Sequence, residues 1–270
     1  MLILIAESKT MTTVEQSIEA MTYAESTPLG ESLAEKAMQY LSDLSVSEIC
    51  KVTGFSTNMA SKLHNWAYEF PNKSLGYEAI MAYTGVVFKA LDFPSMNNEA
   101  QDFCKNNVRI ISSLYGWLRP FDIIKPYRLD YVMKKFNAES IEFTNSHQPF
   151  DSLRKKFCTV CAINEIQQAN HKEILNLLPA DAAKCIDWKL LRRYAKVYKA
   201  DFVELKPSPM ENKDLLVTPN ASKLKTMRGK LLRQILQEGI SDIASLKSVA
   251  SDNYLCEGTP QFPDHLRFLC

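Results

Sequence analysis

Apolar positions follow two rhythms along this chain, and they divide it into elements. Leu2-Ile3-Leu4-Ile5 is a short apolar run that predicts an opening β-strand. From Glu31 to Leu44 the apolar residues Leu33, Ala37, Met38 and Leu41 recur at helical spacing, which predicts an amphipathic helix. Two shorter helical runs follow, ending near Trp66. Ile80 to Phe88 is a mixed apolar run that predicts a strand broken at Gly85. Val108-Arg109-Ile110-Ile111 alternates and predicts a strand leading straight into a loop at Leu114. Phe150 to Gln168 and Leu224 to Leu236 carry helical patterns. Phe202 to Leu205 and Leu215 to Val217 read as strands on either side of Pro207 and Pro209. There is no βαβ rhythm, no repeat of 20 to 50 residues, and no Gly/Ser-rich linker. The expectation is one α+β domain over residues 1–270, a mixed β-sheet surrounded by helices.

Composition narrows the class. With 270 residues the chain can bury about 70–75% of its unfolded surface. Its 46% hydrophobic and 23% charged residues are those of a soluble globular protein. No 18-residue apolar run exists, so no membrane span is expected. The N-terminus lacks a basic region and a signal-peptide core, so a cytoplasmic location is expected. Seven cysteines are scattered, and only Cys158-Thr159-Val160-Cys161 has ligand spacing. Cys185, His147 and His171 are the nearby candidates for further ligands, and none completes a second paired motif. The expectation is therefore no metal and no cofactor, with Phe157, Cys158, Cys161 and Ile163 on the partly buried face of a helix. His64, His147, His171 and His265 form no i, i+4 pair, and no P-loop, dinucleotide fingerprint or HExxH motif occurs.

Charge is balanced in total, at +1, but not in place. Residues 12 to 48 hold seven acids and one lysine. Residues 218 to 236 hold Lys223, Lys225, Arg228, Lys230 and Arg233 with no acid, and residues 184 to 199 hold six cations against Asp187. Two such segments could form one positive cleft, or each could be the solvated face of a helix.

Leu114 to Tyr131, LYGWLRPFDIIKPYRLDY, is the densest stretch chemically. Each X-Pro step moves the preceding residue out of the helical region, so a turn-rich loop is expected. Arg119 and Arg128 offer planar forks for phosphate or carboxylate, and Tyr115 and Tyr127 add hydroxyls and stacking faces. The competing reading is a buried clasp in which these arginines pair with Asp122 or Asp130. Ile49 to Ser56, followed by Ala60 and Leu63, fits a helix-hairpin-helix-like template over residues 47 to 66. In that reading Gly54 and Ser56 aim backbone N–H groups at a phosphate. An ordinary two-helix corner would show the same pattern. Lys9, just past the first strand and preceded by Glu7-Ser8, could hold a phosphate or act as a nucleophile. A carboxylate partner would argue against the nucleophile, because it favours the charged ammonium.

The Leu114 to Tyr131 segment resembles the motif of the YaaA family of bacterial peroxide stress resistance proteins. That family carries a similar Leu-Tyr-Gly, Leu-Arg-Pro, Asp and Pro-Tyr-Arg-Leu run. Met1 to Ile5 with Ser8-Lys9-Thr10 is similar to the family's N-terminus. Arg228-Gly229, with Lys225 before it and Arg233 after it, is similar to its basic segment. The chain departs from the pattern in three places. Gly85-Val86-Val87-Phe88 lacks an acid, Ser146 to Asp151 lacks a Trp-Gly-Asp element, and Asn176-Leu177-Leu178-Pro179 replaces Asn-Leu-Ala-Ser. The resemblance identifies a divergent member and implies the family's hairpin, DNA binding, and a role in limiting iron and peroxide damage to DNA.

Together these readings predict a DNA-binding protein for double-stranded or branched DNA. Gly54, Ser56, Tyr115, Arg119, Tyr127, Arg128, Lys225, Arg228 and Arg233 would form its contacts. One alternative is an enzyme acting on a base or sugar, with Lys9 as nucleophile, Asp122 or Asp130 as acid and base, and Tyr115 or Tyr127 as stacking wall. Another is a relative that kept only the fold.

Overall fold

The computed structural model describes residues 1–12, 26–71, 76–133, 135–136, 140–143, 146–207, 214–249, 254–259 and 262–269. Pro209, Cys270 and residues 13–25 of the acidic segment lie outside the described residues.

Strand β1 (Leu2–Ala6) organises everything else. All four apolar residues from Leu2 to Ile5 are buried, and successive side chains point to opposite faces of the sheet. Ile3 and Ile5 join the larger core, whereas Leu2 and Leu4 join a second core on the other face. A strand covered on both sides reads as a continuous apolar run rather than an alternating one. β1 pairs in parallel with β3 (Val108–Ser112) through Ile3↔Val108 and with β8 (Glu173–Asn176) through Leu2↔Ile174.

The first crossover carries most of the helices. α1 (Glu31–Ser42), α2 (Val46–Thr53) and α3 (Thr57–Glu69) are followed by β2 (Tyr77–Glu78). Then come α4 (Ala79–Ala82), α5 (Val86–Leu91) and α6 (Asn98–Asn107), which leads into β3. Ile80 to Phe88 is thus two short helices on either side of Gly85, not a strand. Gly85 does mark the break, but Tyr83 and Phe88 pack into the helical core rather than alternating across a sheet. The start of α2 is fixed locally, because Ser45 accepts from the Glu48 N–H while the Glu48 carboxylate takes the Ser45 N–H.

β4 (Gly116–Leu118) turns back antiparallel on β3, and β5 (Ile123–Ile124) pairs with β2. After β6 (Ser140–Phe143) and β7 (Ser146–Pro149), α7 (Phe150–Gln168) spans the predicted range and covers the second face. Arg109 on β3 and Glu165 on α7 form a largely buried ion pair across that layer. β8 leads through α8 (Trp188–Leu191) to the long parallel strand β9 (Lys196–Pro207) and its hairpin partner β10 (Asp214–Val217). α9 (Ala221–Glu238) and α10 (Ile243–Val249) return to the first face, and β11 (Tyr254–Thr259) and β12 (Phe262–Leu269) close the sheet.

The sheet order is β11-β12-β9-β8-β1-β3-β4, a mixed sheet between helical layers. Four of its neighbouring pairs are parallel. The crossovers are too long and irregular to show as a βαβ rhythm in sequence. Among the described residues, no helix is long and apolar enough to cross a membrane.

Candidate functional site

From β1 the chain moves to β3 on one side, whereas from β8 it moves to β9 on the other. Where successive connections part in this way, a crevice opens outside the carboxyl ends of the strands. A cavity of about 290 Å³ lies there, lined by Glu7 to Thr10 after β1, by Pro179 and Asp181 after β8, and by Gly85 to Phe88. Leu129, Asp130 and Tyr131 of the Leu114 loop, and Lys225 of α9, complete its wall.

Glu7 sits deep in this cavity. Its Oε2 accepts from the Ser113 N–H at 2.9 Å and from the Tyr127 hydroxyl. The Tyr127 hydroxyl also meets the hydroxyls of Ser112 and Tyr83, each at 2.7 Å. The Glu7 N–H donates to the Tyr131 hydroxyl at 3.2 Å, and that hydroxyl donates to the Ile111 carbonyl. Burial outweighs these hydrogen bonds and pushes the Glu7 carboxyl up to about 7. Burial, reinforced by the Glu7 charge, also raises the phenols of Tyr83, Tyr127 and Tyr131 well above their ordinary value.

The cations divide into those already paired and those left free. Lys9 pairs with Asp130 at 2.8 Å, and Arg128 donates to the Lys9 carbonyl while its Nε lies 3.4 Å from the same Asp130. The Arg128 guanidinium also sits over the Phe55 ring, 5.8 Å from its centre. On α9, Lys223 pairs with Glu204, and Arg233 donates to the Leu91 and Asp92 carbonyls and to the Ser95 hydroxyl. Lys225 and Arg228, three apart on one helix face, form no ion pair or hydrogen bond among the described residues. Arg228 is half-buried, with an Nε that has no partner. Desolvation lowers its pKa, and nearby Asp181 and Asp201 only partly offset that. Gly229 makes the approach possible, because a Cβ there would overlap the Val87 carbonyl and sit 2.7 Å from Ala90 Cβ.

A second cavity, of about 580 Å³, shares Tyr131 and Asp181 with the first. Arg154, Lys155, Lys184 and Asp151 line it. Arg154 is buried, donates to the Ser113 carbonyl at 2.7 Å, and leaves its own Nε unpartnered. The basic segments 184–199 and 218–236 therefore reach adjoining cavities through Lys184 and Lys225.

The model of a family described as peroxide stress protein YaaA matches residues 1–259. The chain belongs to this family. Among its relatives are proteins named UPF0246 protein. One from Parabacteroides distasonis is 26% identical, with 100% of this chain and 99% of the relative covered. One from Clostridium perfringens strain ATCC 13124 is 26% identical over 94% and 93%. One from Aliivibrio fischeri strain MJ11 is 28% identical over 81% and 78%.

This YaaA-family chain departs from the expected pattern where its cavities are lined. Val86, Val87 and Pro179 border the first cavity, and Pro149 and Asp151 the second. The predicted site residues separate accordingly. Lys9 and Lys225 line the first cavity, and Tyr127 holds Glu7 beneath it. Arg119 and Asp122 instead form the clasp: Asp122 is fully buried and accepts from Arg119 Nε at 2.9 Å and from Ser26 at 2.6 Å. Tyr115 is buried, with its hydroxyl taken by the Lys125 N–H. Gly54 is the left-handed end of α2, with φ 79°, and Ser56 caps α3 in an extended conformation with φ −64°. Ser56 thus needs none of glycine's freedom. Cys158 is buried on α7, and no group of three His, Cys, Asp or Glu among the described residues is placed to hold a metal.

Sequence reasoning overlooked Glu7, Tyr131 and Asp181 as site residues. Glu7 carried a usable signal, being a charge directly after a buried strand. Asp181 carried none, because its place depends on which strand lies beside β1.

Proposed function

We propose that this chain binds nucleic acid in the peroxide stress response, holding phosphates at the carboxyl edge of its sheet. The observation that carries this reading is the unpartnered pair Lys225 and Arg228 beside the first cavity. A half-buried guanidinium with no ion pair, whose desolvation Asp181 and Asp201 only partly offset, is costly, and an anionic ligand relieves that cost. Lys155 and Lys184 extend the same polarity into the second cavity. The α2–α3 corner adjoins this edge through the Phe55–Arg128 contact, which suits it to a second backbone contact on DNA. The Lys9–Asp130 ion pair weighs against a lysine nucleophile, because the Lys9 ammonium is already engaged by a carboxylate.

Fluorescence anisotropy of labelled duplex, branched and single-stranded DNA against salt tests the reading. Binding should weaken steeply as salt rises, since each neutralised phosphate releases counterions. Doubly substituted Lys225→Glu/Arg228→Glu protein should lose affinity and about 2 units of the log–log salt slope. An unchanged slope, or no binding at low salt, would refute the proposal.

A further inference from the structure

The geometry points to the first cavity as a pocket for one unpaired nucleobase, with the Glu7 carboxylic acid donating to a ring nitrogen or carbonyl of the base. This rests on the phosphate-binding reading and names the group that sits deeper in the same site.

Three observations carry it. The cavity is graded in charge, with free Lys225 in its wall and an acid at its base held only by uncharged groups. A phosphate finds its counter-charge at Lys225 in the wall, whereas the acid at the base offers a single donor suited to an uncharged heterocycle. A nucleotide has this same gradation, an uncharged polar ring joined to an anion. The size also fits a small ligand, because about 290 Å³ lies just below the roughly 300–1,000 Å³ typical of ligand pockets. That space holds one base and its sugar but not two. The walls offer Phe88, Leu129, Pro179 and the Tyr131 ring for apolar contact with a flat group. Finally, the two carboxyl oxygens of Glu7 differ. Oε2 is engaged by Ser113 and Tyr127, whereas Oε1 takes no hydrogen bond among the described residues. The carboxyl therefore has one oxygen left for a ligand.

Protonation decides which way that oxygen works. Burial holds the Glu7 carboxyl near 7, so it is largely a neutral donor at pH 6 and a carboxylate at pH 8. The groups around it are the Tyr83, Tyr127 and Tyr131 hydroxyls, the paired Lys9 and Asp130, and Asp181 and Lys225 across the cavity. Arg154 and Cys185 stand behind Tyr131 and Ser113. Burial holds the three tyrosines neutral across this range, so the change of charge that matters here is that of Glu7. The fraction of competent protein falls about tenfold from pH 6 to pH 8, and apparent affinity falls with it.

The test compares three labelled duplexes at both pH values: fully paired, carrying a one-nucleotide bulge, and carrying the same bulge without its base. At pH 6 the base-bearing bulge should bind at least about tenfold tighter than the abasic one, and at pH 8 that advantage should largely vanish. Glu7→Gln keeps a donor of the same shape at every pH, so the variant should retain the preference and lose its pH dependence. Equal binding of the two bulges by the wild type overturns the inference, as does an unchanged pH profile in the variant. Salt-dependent binding without base preference defeats the pocket alone, and no binding to any duplex defeats the phosphate reading with it.

Discussion

Glu7 shows at the scale of one residue how position outweighs residue type. A glutamate one step beyond a buried strand is driven into a cavity by the backbone direction of β1, and burial opposes its charge more than the Ser113 N–H and a few hydroxyls favour it. Its folded pKa is raised from 4.5 to about 7, so the native state binds a proton that the unfolded chain releases. Stability from this group is present at low pH, declines by ~1.4 kcal/mol per unit as pH rises from 4.5 to 7, and is level above that. Wild type should therefore lose about 2–3 kcal/mol relative to Glu7→Gln between pH 5 and pH 8. Urea unfolding at the two pH values measures this, and equal losses in both proteins would contradict the assignment. The arginines show the same dependence on position. Arg119 and Arg128 were equal candidates in sequence, yet Arg119 is committed to Asp122, whereas Arg128 reaches Lys9 and Phe55.

At the scale of elements, the packing of α9 on α5 sets where the free cations stand. Gly229 faces the Val87 carbonyl, so the two helices come closer than any side chain would allow. Gly229→Ala should force them apart and destabilise the fold by about 1–3 kcal/mol, read as a lower midpoint in thermal unfolding. Gly54 behaves differently, since nothing lies within 4 Å of a Cβ there but its φ is 79°. Gly54→Ala should cost about 1 kcal/mol through backbone strain without disturbing a neighbour. Ser45 caps α2, and Ser45→Ala should cost about 1 kcal/mol by the same measurement. The α2–α3 corner was read correctly as two helices joined at Gly54. Whether it meets DNA depends on what stands beside it, and the Phe55–Arg128 contact is the relevant neighbour.

At the scale of the whole molecule, near-neutral net charge hides a division of labour among cations. Arg233 ties α9 to the turn after α5, whereas Arg228, five residues earlier, has no partner. Arg233→Ala should lower stability and leave the salt slope of DNA binding unchanged, while Arg228→Glu should reduce the slope by about 1 or more. The site itself exists because the connections from β1 and β8 leave in opposite directions, a property of sheet order alone.

Local rules were sufficient for much of this chain. The apolar run of β1, the helical spacing of α1, α7 and α9, and the strand into Leu114 follow from periodicities that act over a few residues. The Leu114 to Tyr131 motif carried the family resemblance for a related reason, since its prolines and aromatics build a loop whose shape is locally constrained. The tertiary structure alone decided the rest. Val86 to Leu91 became helical with Phe88 and Leu91 buried in the helical layer. Tyr127 met Glu7, and Lys225 came to line one cavity with Asp181, because the tertiary fold brings together segments more than 40 residues apart. No spacing in the sequence encodes those distances. They are set by which strands lie side by side, and that is settled by burial over the whole sheet.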